Sequence, residues 1–293
     1  MSVAGITMLQ RVKDYLSLIK FSHTVFALPF ALIGFSLAVI YERHSFEWHL
    51  LVKMLLCMIF ARTAAMAFNR YLDRRIDARN PRTAKREIPA GVIEPKSALW
   101  FVIANCILFL ITCYFINMLV FYLSFVALFV ILFYSYTKRF TALCHLVLGV
   151  GLSLAPIGAY LVVTGEFSWL PLMFSGIVIT WVSGFDIIYA LQDERFDRDN
   201  RLHSIPAALG VKHALSVSSL LHIISAGLVI AVGFIALLNW LYWAGAALFI
   251  GLLIYQHTLV KPHDLSKVNI AFMTTNGIGS IIFAIFTILS LIF

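Results

Sequence analysis

The chain has 293 residues, 61% of them hydrophobic and 12% charged, with a mean hydropathy of +0.93. A soluble domain lies nearer half apolar and a quarter charged, so this composition excludes an ordinary water-soluble fold. The formal net charge of +8 would suit a nucleic-acid partner only if the basic residues formed one patch, and they do not.

In chain order, apolar runs of the length needed to cross a bilayer, about 20 residues each, are expected at residues 21–41, 50–68, 97–115, 118–137, 141–164, 168–191, 214–238, 241–258 and 268–293. Membrane-crossing β-strands would be half as long and alternate in polarity, so the expected fold class is an all-α integral membrane protein with nine transmembrane helices. The first run lacks a small-residue cleavage signature and resembles the others, which marks it as a retained helix rather than a signal peptide. The whole of 1–293 is expected to form one membrane domain.

Nineteen of the 22 lysines and arginines fall at the amino terminus or in every second interhelical segment. By the positive-inside rule this places the amino terminus in the cytoplasm and, with an odd number of spans, the carboxyl terminus outside. The expected setting is a prokaryotic inner membrane, with the lipid bilayer as partner and no nucleic acid. The four cysteines, Cys57, Cys106, Cys113 and Cys144, show no CxxC spacing and read as small apolar packing residues.

Two segments on the predicted cytoplasmic side are long and charged, about 69–96 and 192–213, and together they hold eight of the fourteen carboxylates. They also resemble each other. DARNPRTAKREIPAG runs from Asp77 and DRDNRLHSIPAALG from Asp197; each has Asp, an Asn three residues on, a basic residue, then Ile-Pro-Ala and a nearby Gly. Four spans separate them, as a parallel duplication of a four-helix unit requires, with repeats at about 21–137 and 141–258 and a ninth helix, 268–293, added.

On a helix, residues four and seven apart share a face. Arg62, Asn69, Asp73 and Asp77 therefore form one stripe, and Asp186, Asp193 and Asp197 another. A single DxxxD beside arginines is usually a solvated helix end, but Arg62 and Asp186 sit inside apolar spans, where a charge costs about 2.5–3.5 kcal/mol at the centre and generally faces a cavity. Converging carboxylates without His or Cys suit a hard cation such as Mg²⁺, which uses one or two protein carboxylates plus substrate phosphate oxygens. Surrounding Arg and Lys side chains would grip the remaining phosphate oxygens. The combination points to a metal-bridged diphosphate at a membrane surface.

NRYLDRRID from Asn69, the following NPRTAKREIPAG, and DIIYALQDERFDRDNRLHSIPAALG from Asp186 closely resemble the two signature regions of the UbiA superfamily of intramembrane aromatic prenyltransferases. The resemblance extends over nearly the whole chain. It implies a helical bundle around a central cavity, two cytoplasmic cap loops, and Mg²⁺-dependent transfer of a polyprenyl group from a polyprenyl diphosphate to an aromatic acid acceptor. Asn69, Asp73 and Asp77 match the first motif, and Asp193 and Asp197 the second. Many members read NDxxDxxxD, whereas this chain carries Arg70 after the Asn, one carboxylate fewer with the metal-binding spacing intact.

On this resemblance Asp73, Asp77, Asp193 and Asp197 hold the metal, and Arg82, Arg86 and Lys138 contact the diphosphate. Lys138 has the competing reading of a topology signal. Arg62 is the candidate for the acceptor carboxylate, the alternative being an internal ion pair with Asp186. Asp186 is the candidate to orient the acceptor hydroxyl or accept the ring proton, with Tyr189 beside it; His203 reads as a surface or cap residue. The leading acceptor is 4-hydroxybenzoate, in ubiquinone- or menaquinone-type quinone biosynthesis, against a hydroxynaphthoate or a porphyrin. A transporter is the alternative of another class, disfavoured because the carboxylates gather at one membrane face and not near the midplane.

Overall fold

The protein was described from a computed structural model, which covers residues 8–20 and 25–293. Every regular element among these residues is helical. An amphipathic helix α1 (Met8–Leu18) precedes α2 (Leu28–Ser36), which runs on through a π turn over Leu37–Tyr41. Next come α3 (Trp48–Asp77), α4 (Pro95–Tyr114), α5 (Met118–Thr137), α6 (Cys144–Thr164) and α7 (Trp169–Ala190). A short α8 (Glu194–Asp199), the long α9 (Ile205–Ile235), α10 (Trp240–Leu259) and α11 (Asn276–Ile292), the last led in by a π turn over Ile270–Thr275, complete the chain.

Local chemistry sets the helix ends. Pro95 opens α4, where its missing N–H costs nothing. Asn117, Ser204 and Asn239 cap α5, α9 and α10, their side-chain oxygens accepting from Val120, Ala207 and Leu241 N–H. Two glycines are required by geometry. Gly34 of α2 lies so close to α6 that a Cβ would come 2.0 Å from the Pro156 carbonyl oxygen, and Gly210, at φ +76, breaks the helical path near the start of α9.

The largest buried cluster joins α2, α6, α7, α9, α10 and α11 around Trp181, Phe30, Phe174, Tyr242, Phe249 and Phe283, all fully buried. Smaller clusters join α3, α4 and α5 on the other side. Trp181 gives its indole N–H to Asn276 Oδ1 at 2.8 Å, so the one polar atom of the central aromatic is satisfied. Conversely, Trp100, Tyr122, Phe129, Phe234 and Trp240 point outward, the surface expected where lipid is the solvent.

Seven helices among the described residues are long and apolar enough to span a membrane: Trp48–Asp77, Pro95–Tyr114, Met118–Thr137, Cys144–Thr164, Trp169–Asp199, Ile205–Ile235 and Ile270–Ile292. These match seven of the nine expected runs. Of the other two, the helix Leu28–Tyr41 is too short on its own, and residues 21–24 of the expected run lie outside the described residues. α10 has the length, but its two Trp, its two Tyr, Gln256 and His257 dilute its apolar character. The chain is thus a multi-pass membrane protein, with seven helices among the described residues that meet the length and composition of a span.

Helix α1 has no counterpart among the expected elements. Its inner side places Tyr15 against Phe101, with ring centroids 4.7 Å apart, and Leu18 is buried with Ala67, Ile88 and Val102. Its outer side exposes Met8, Leu9, Val12 and Leu16. The four cysteines are free thiols, and Cys57 and Cys113 face each other across α3 and α4 with Sγ atoms 3.6 Å apart.

Candidate active site

The first stripe forms as expected. One uninterrupted helix, α3, carries Arg62, Asn69, Asp73 and Asp77, followed by turns through residue 94. The second does not lie on one helix. α7 ends at Ala190, a 3₁₀ turn covers Leu191–Asp193, and Asp193 leaves the helical region at φ −105, ψ 4 before α8 starts. The reason is tertiary. Asn80 donates to Asp193 Oδ1 at 2.9 Å and Arg82 donates through Nε to the same oxygen at 2.9 Å, with Nη2 on Oδ2. These bonds from the facing segment hold Asp193 where a continued α7 would not have put it. They also join the two charged segments directly at one end of the bundle.

Each of the four motif aspartates has its own cation. Arg139 reaches Asp73 at 2.8 Å, Arg86 reaches Asp77 at 2.7 Å, Arg82 clasps Asp193, and Lys138 lies 2.8 Å from Asp197 Oδ1. The Lys138-Arg139 pair at the end of α5 thus divides between the motifs, one residue to each. Asn69 donates to the second oxygen of Asp73 at 3.2 Å. Arg82 also donates to the Tyr189 hydroxyl at 3.0 Å, and the Tyr189 ring packs on Phe272 at 4.2 Å between centroids. Burial pulls the Arg82 guanidinium and the Lys138 ammonium down, but bonding to Asp193 and the charge of Asp197, respectively, outweigh it and hold both groups above their ordinary values.

The pairing leaves two acceptors unused. Asp77 Oδ2 and Asp197 Oδ2 are buried without any hydrogen-bond partner, a costly state for a carboxylate oxygen unless a ligand completes it. Among the described residues no three His, Cys, Asp or Glu side chains lie close enough to hold a metal by themselves. That donor set fits Mg²⁺ better than zinc or calcium: all-oxygen, few protein ligands, the rest left to water and phosphate.

These groups line a cavity of about 260 Å³ that also takes in Arg62, Arg70, Asn80, His145, Phe185 and Asp186. A second, apolar cavity of about 330 Å³ lies beyond it, walled by residues that include Met54, Met58, Phe109, Val120, Leu123 and Ile157. Arg62, Met66, Tyr134, Leu148 and Leu152 border both. Arg62 therefore stands at the junction between a charged chamber and an oily one, its Nε buried without a hydrogen-bond partner.

The alternative pairing of Arg62 with Asp186 is overturned. Asp186 Oδ2 instead meets His145 Nδ1 at 2.7 Å, and Arg62 makes no ion pair among the described residues. Asp186 sits one helix away on α7, and α6 brings the buried His145 closer. Tyr189 stands with Arg82 in the chamber, its hydroxyl accepting from that guanidinium. His203 is exposed, and its backbone bonds into the region, the N–H donating to Lys138 O at 2.7 Å and the carbonyl oxygen accepting from Cys144 Sγ at 3.5 Å. Sequence reasoning passed over Arg139, Asn80 and His145. Arg139 had one available signal, its place beside Lys138, while the others show only as long-range contacts.

A model of the UbiA prenyltransferase family matches residues 27–278. A 4-hydroxybenzoate octaprenyltransferase of Marinomonas sp. is 28% identical over 289 residues, covering 94% of this chain and 97% of the relative. The structure of a UbiA homolog from Aeropyrum pernix superposes with a TM-score of 0.82 at 32% identity, over 91% of this chain and 97% of that one. A UbiA homolog from Archaeoglobus fulgidus, bound to GPP and Mg²⁺, shares the fold at a TM-score of 0.77 and 20% identity, over 96% of this chain and all of that one.

Proposed function

Because this chain belongs to the UbiA prenyltransferase family, we propose that it transfers a polyprenyl group from its diphosphate to a ring carbon of 4-hydroxybenzoate, in the membrane synthesis of a quinone. The observation that carries this reading is the junction at Arg62. A chamber that holds the four paired aspartates and their bases opens at that guanidinium onto an apolar cavity. A lipid diphosphate has the same two halves.

The aspartates and bases are paired one to one. Asp73, Asp77, Asp193 and Asp197 are the residues that would hold Mg²⁺ between them and the diphosphate, and their partners Arg82, Arg86, Lys138 and Arg139 would bind the remaining phosphate oxygens. Bound Mg²⁺ supplies positive charge to the departing diphosphate, which favours breaking the allylic C–O bond. Tyr189 keeps Arg82 aimed through its hydroxyl. The prenyl chain lies in the apolar cavity, away from water that would quench a carbocation.

Arg62 receives the acceptor carboxylate, because it is a cation in an oily wall without an anionic partner of its own. Asp186 then addresses the other end of the ring. The relatives named 4-hydroxybenzoate octaprenyltransferase support this acceptor over a hydroxynaphthoate or a porphyrin. The basic segments that meet at the charged end of the bundle support a cytoplasmic face there, with the amino terminus inside.

A panel of acceptors decides the substrate. Purified protein given Mg²⁺ and a polyprenyl diphosphate is expected to prenylate 4-hydroxybenzoate in preference to 1,4-dihydroxy-2-naphthoate and protohaem, measured by mass spectrometry of the products. Preference for the naphthoate or the porphyrin would overturn the acceptor assignment.

A further inference from the structure

Resting on the reading of Asp186 as the group that addresses the acceptor ring, we infer that His145 is a positioning residue for the reaction, holding Asp186 as the base that takes the ring proton. His145 lies at the start of α6, is 3% exposed, and stands apart from the four pairs that Arg82, Arg86, Lys138 and Arg139 make with the motif aspartates. Its two ring nitrogens have different partners. Nε2 accepts the backbone N–H of Ile205 at 3.3 Å. A backbone N–H can only donate, so Nε2 carries the lone pair and the proton sits on Nδ1. Nδ1 therefore donates to Asp186 Oδ2, 2.7 Å away.

This arrangement gives the Ile-Pro-Ala segment of the second motif a purpose. Ile205 is the first residue of α9, and its N–H is one of the donors that a helix start leaves without an intrahelical partner. Ser204 caps the Ala207 N–H of the same turn. His145 thus ties three elements together: α6 that carries it, the α9 start that sets its tautomer, and α7 that carries Asp186. With Oδ2 held by His145, the other carboxylate oxygen is the one left for the chamber, which both side chains line.

The chemistry balances without a further reagent. The diphosphate departs with the electron pair of the C–O bond, and a ring carbon of the acceptor supplies the pair that forms the new C–C bond. The C–H bond at that carbon then breaks, its pair returning to the ring and its proton going to the free oxygen of Asp186. His145 keeps its own proton throughout. Its part is to fix the carboxylate in one orientation and to stabilise its negative charge, as a donor in a low-dielectric site does.

The test separates this part from simple capping of α9. Asn places its amide nitrogen near the Nδ1 position and keeps a donor to Asp186 but loses the Ile205 contact; Gln reaches the Nε2 position and keeps the Ile205 contact but loses the donor. Full-length protein in detergent is assayed with Mg²⁺, geranyl diphosphate and 4-hydroxybenzoate, either unlabelled or deuterated at both ring carbons beside the hydroxyl. His145→Leu and His145→Gln are expected to lower kcat by about 10- to 100-fold, the order that misplacing a catalytic group costs, with the donor KM unchanged. A deuterium isotope effect larger than that of the unaltered protein should accompany the loss. His145→Asn should recover most of the rate. Gln equalling or exceeding Asn, or no rise in the isotope effect in a slow variant, would overturn the positioning role. Asp186→Asn tests the underlying reading separately: it should be inactive, and full activity there would show that Asp186 is not the base at all.

Discussion

Replacing Arg62 by Leu should move binding and stability in opposite directions. In the free protein the guanidinium lies in a membrane helix between a polar and an apolar cavity, has no ion-pair partner among the described residues, and buries an Nε without a hydrogen bond. An unpaired charge at the centre of a membrane helix costs about 2.5–3.5 kcal/mol, and opening onto the polar chamber reduces that. Arg62→Leu should therefore leave the fold at least as stable, with a gain of up to about 2 kcal/mol visible as a raised thermal midpoint. The acceptor, however, loses a charge-assisted bond worth about 1.5–3 kcal/mol, which corresponds to a roughly 10- to 150-fold weaker KM for 4-hydroxybenzoate. The donor KM should not change. Steady-state kinetics with each substrate varied in turn, alongside thermal unfolding in detergent, make the measurement. An unchanged acceptor KM, or a lowered midpoint, would refute the reasoning, because either would mean that Arg62 already has a structural partner.

Other perturbations follow from the same geometry. Arg82→Ala removes the clasp on Asp193 and the bond to Tyr189, so the donor KM should rise by at least about tenfold, the effect of one lost charge-assisted bond, with the acceptor KM preserved. Lys138→Met strips Asp197 of its neighbour and should weaken donor binding in the same way; a topology reporter should show the orientation unchanged, since Arg139 remains. Gly34→Ala drives a methyl into the Pro156 carbonyl and should cost about 1–3 kcal/mol of stability, read by thermal unfolding, with no selective effect on either KM.

How far the sequence reveals the site depends on the distance over which each contact acts. Asn69, Asp73 and Asp77 lie on one helix, so their spacing alone sets their shared face, and α3 places them there. Asp186, Asp193 and Asp197 fit a helical spacing equally well, yet Asp193 is drawn out of α7 by Arg82 and Asn80, more than a hundred residues earlier. Spacing cannot register such a pull. The choice of ionic partners is hidden for the same reason: Arg139 with Asp73 and His145 with Asp186 depend on how α5 and α6 pack against α3 and α7. Apolar length identified the spanning helices well, because a bilayer demands continuous apolarity. It could not identify α1, whose exposed face carries only a few apolar side chains among charged ones.

The most direct test of the central claim is to incubate the purified protein with geranyl diphosphate and 4-hydroxybenzoate and measure both released diphosphate and ring-prenylated acid. With Mg²⁺ the account predicts the two in equal amounts, and neither after EDTA or in Asp73→Ala or Asp193→Ala. Prenylated product that persists in EDTA or at the full rate in either aspartate variant would contradict the assignment of the paired aspartates to the metal and its diphosphate.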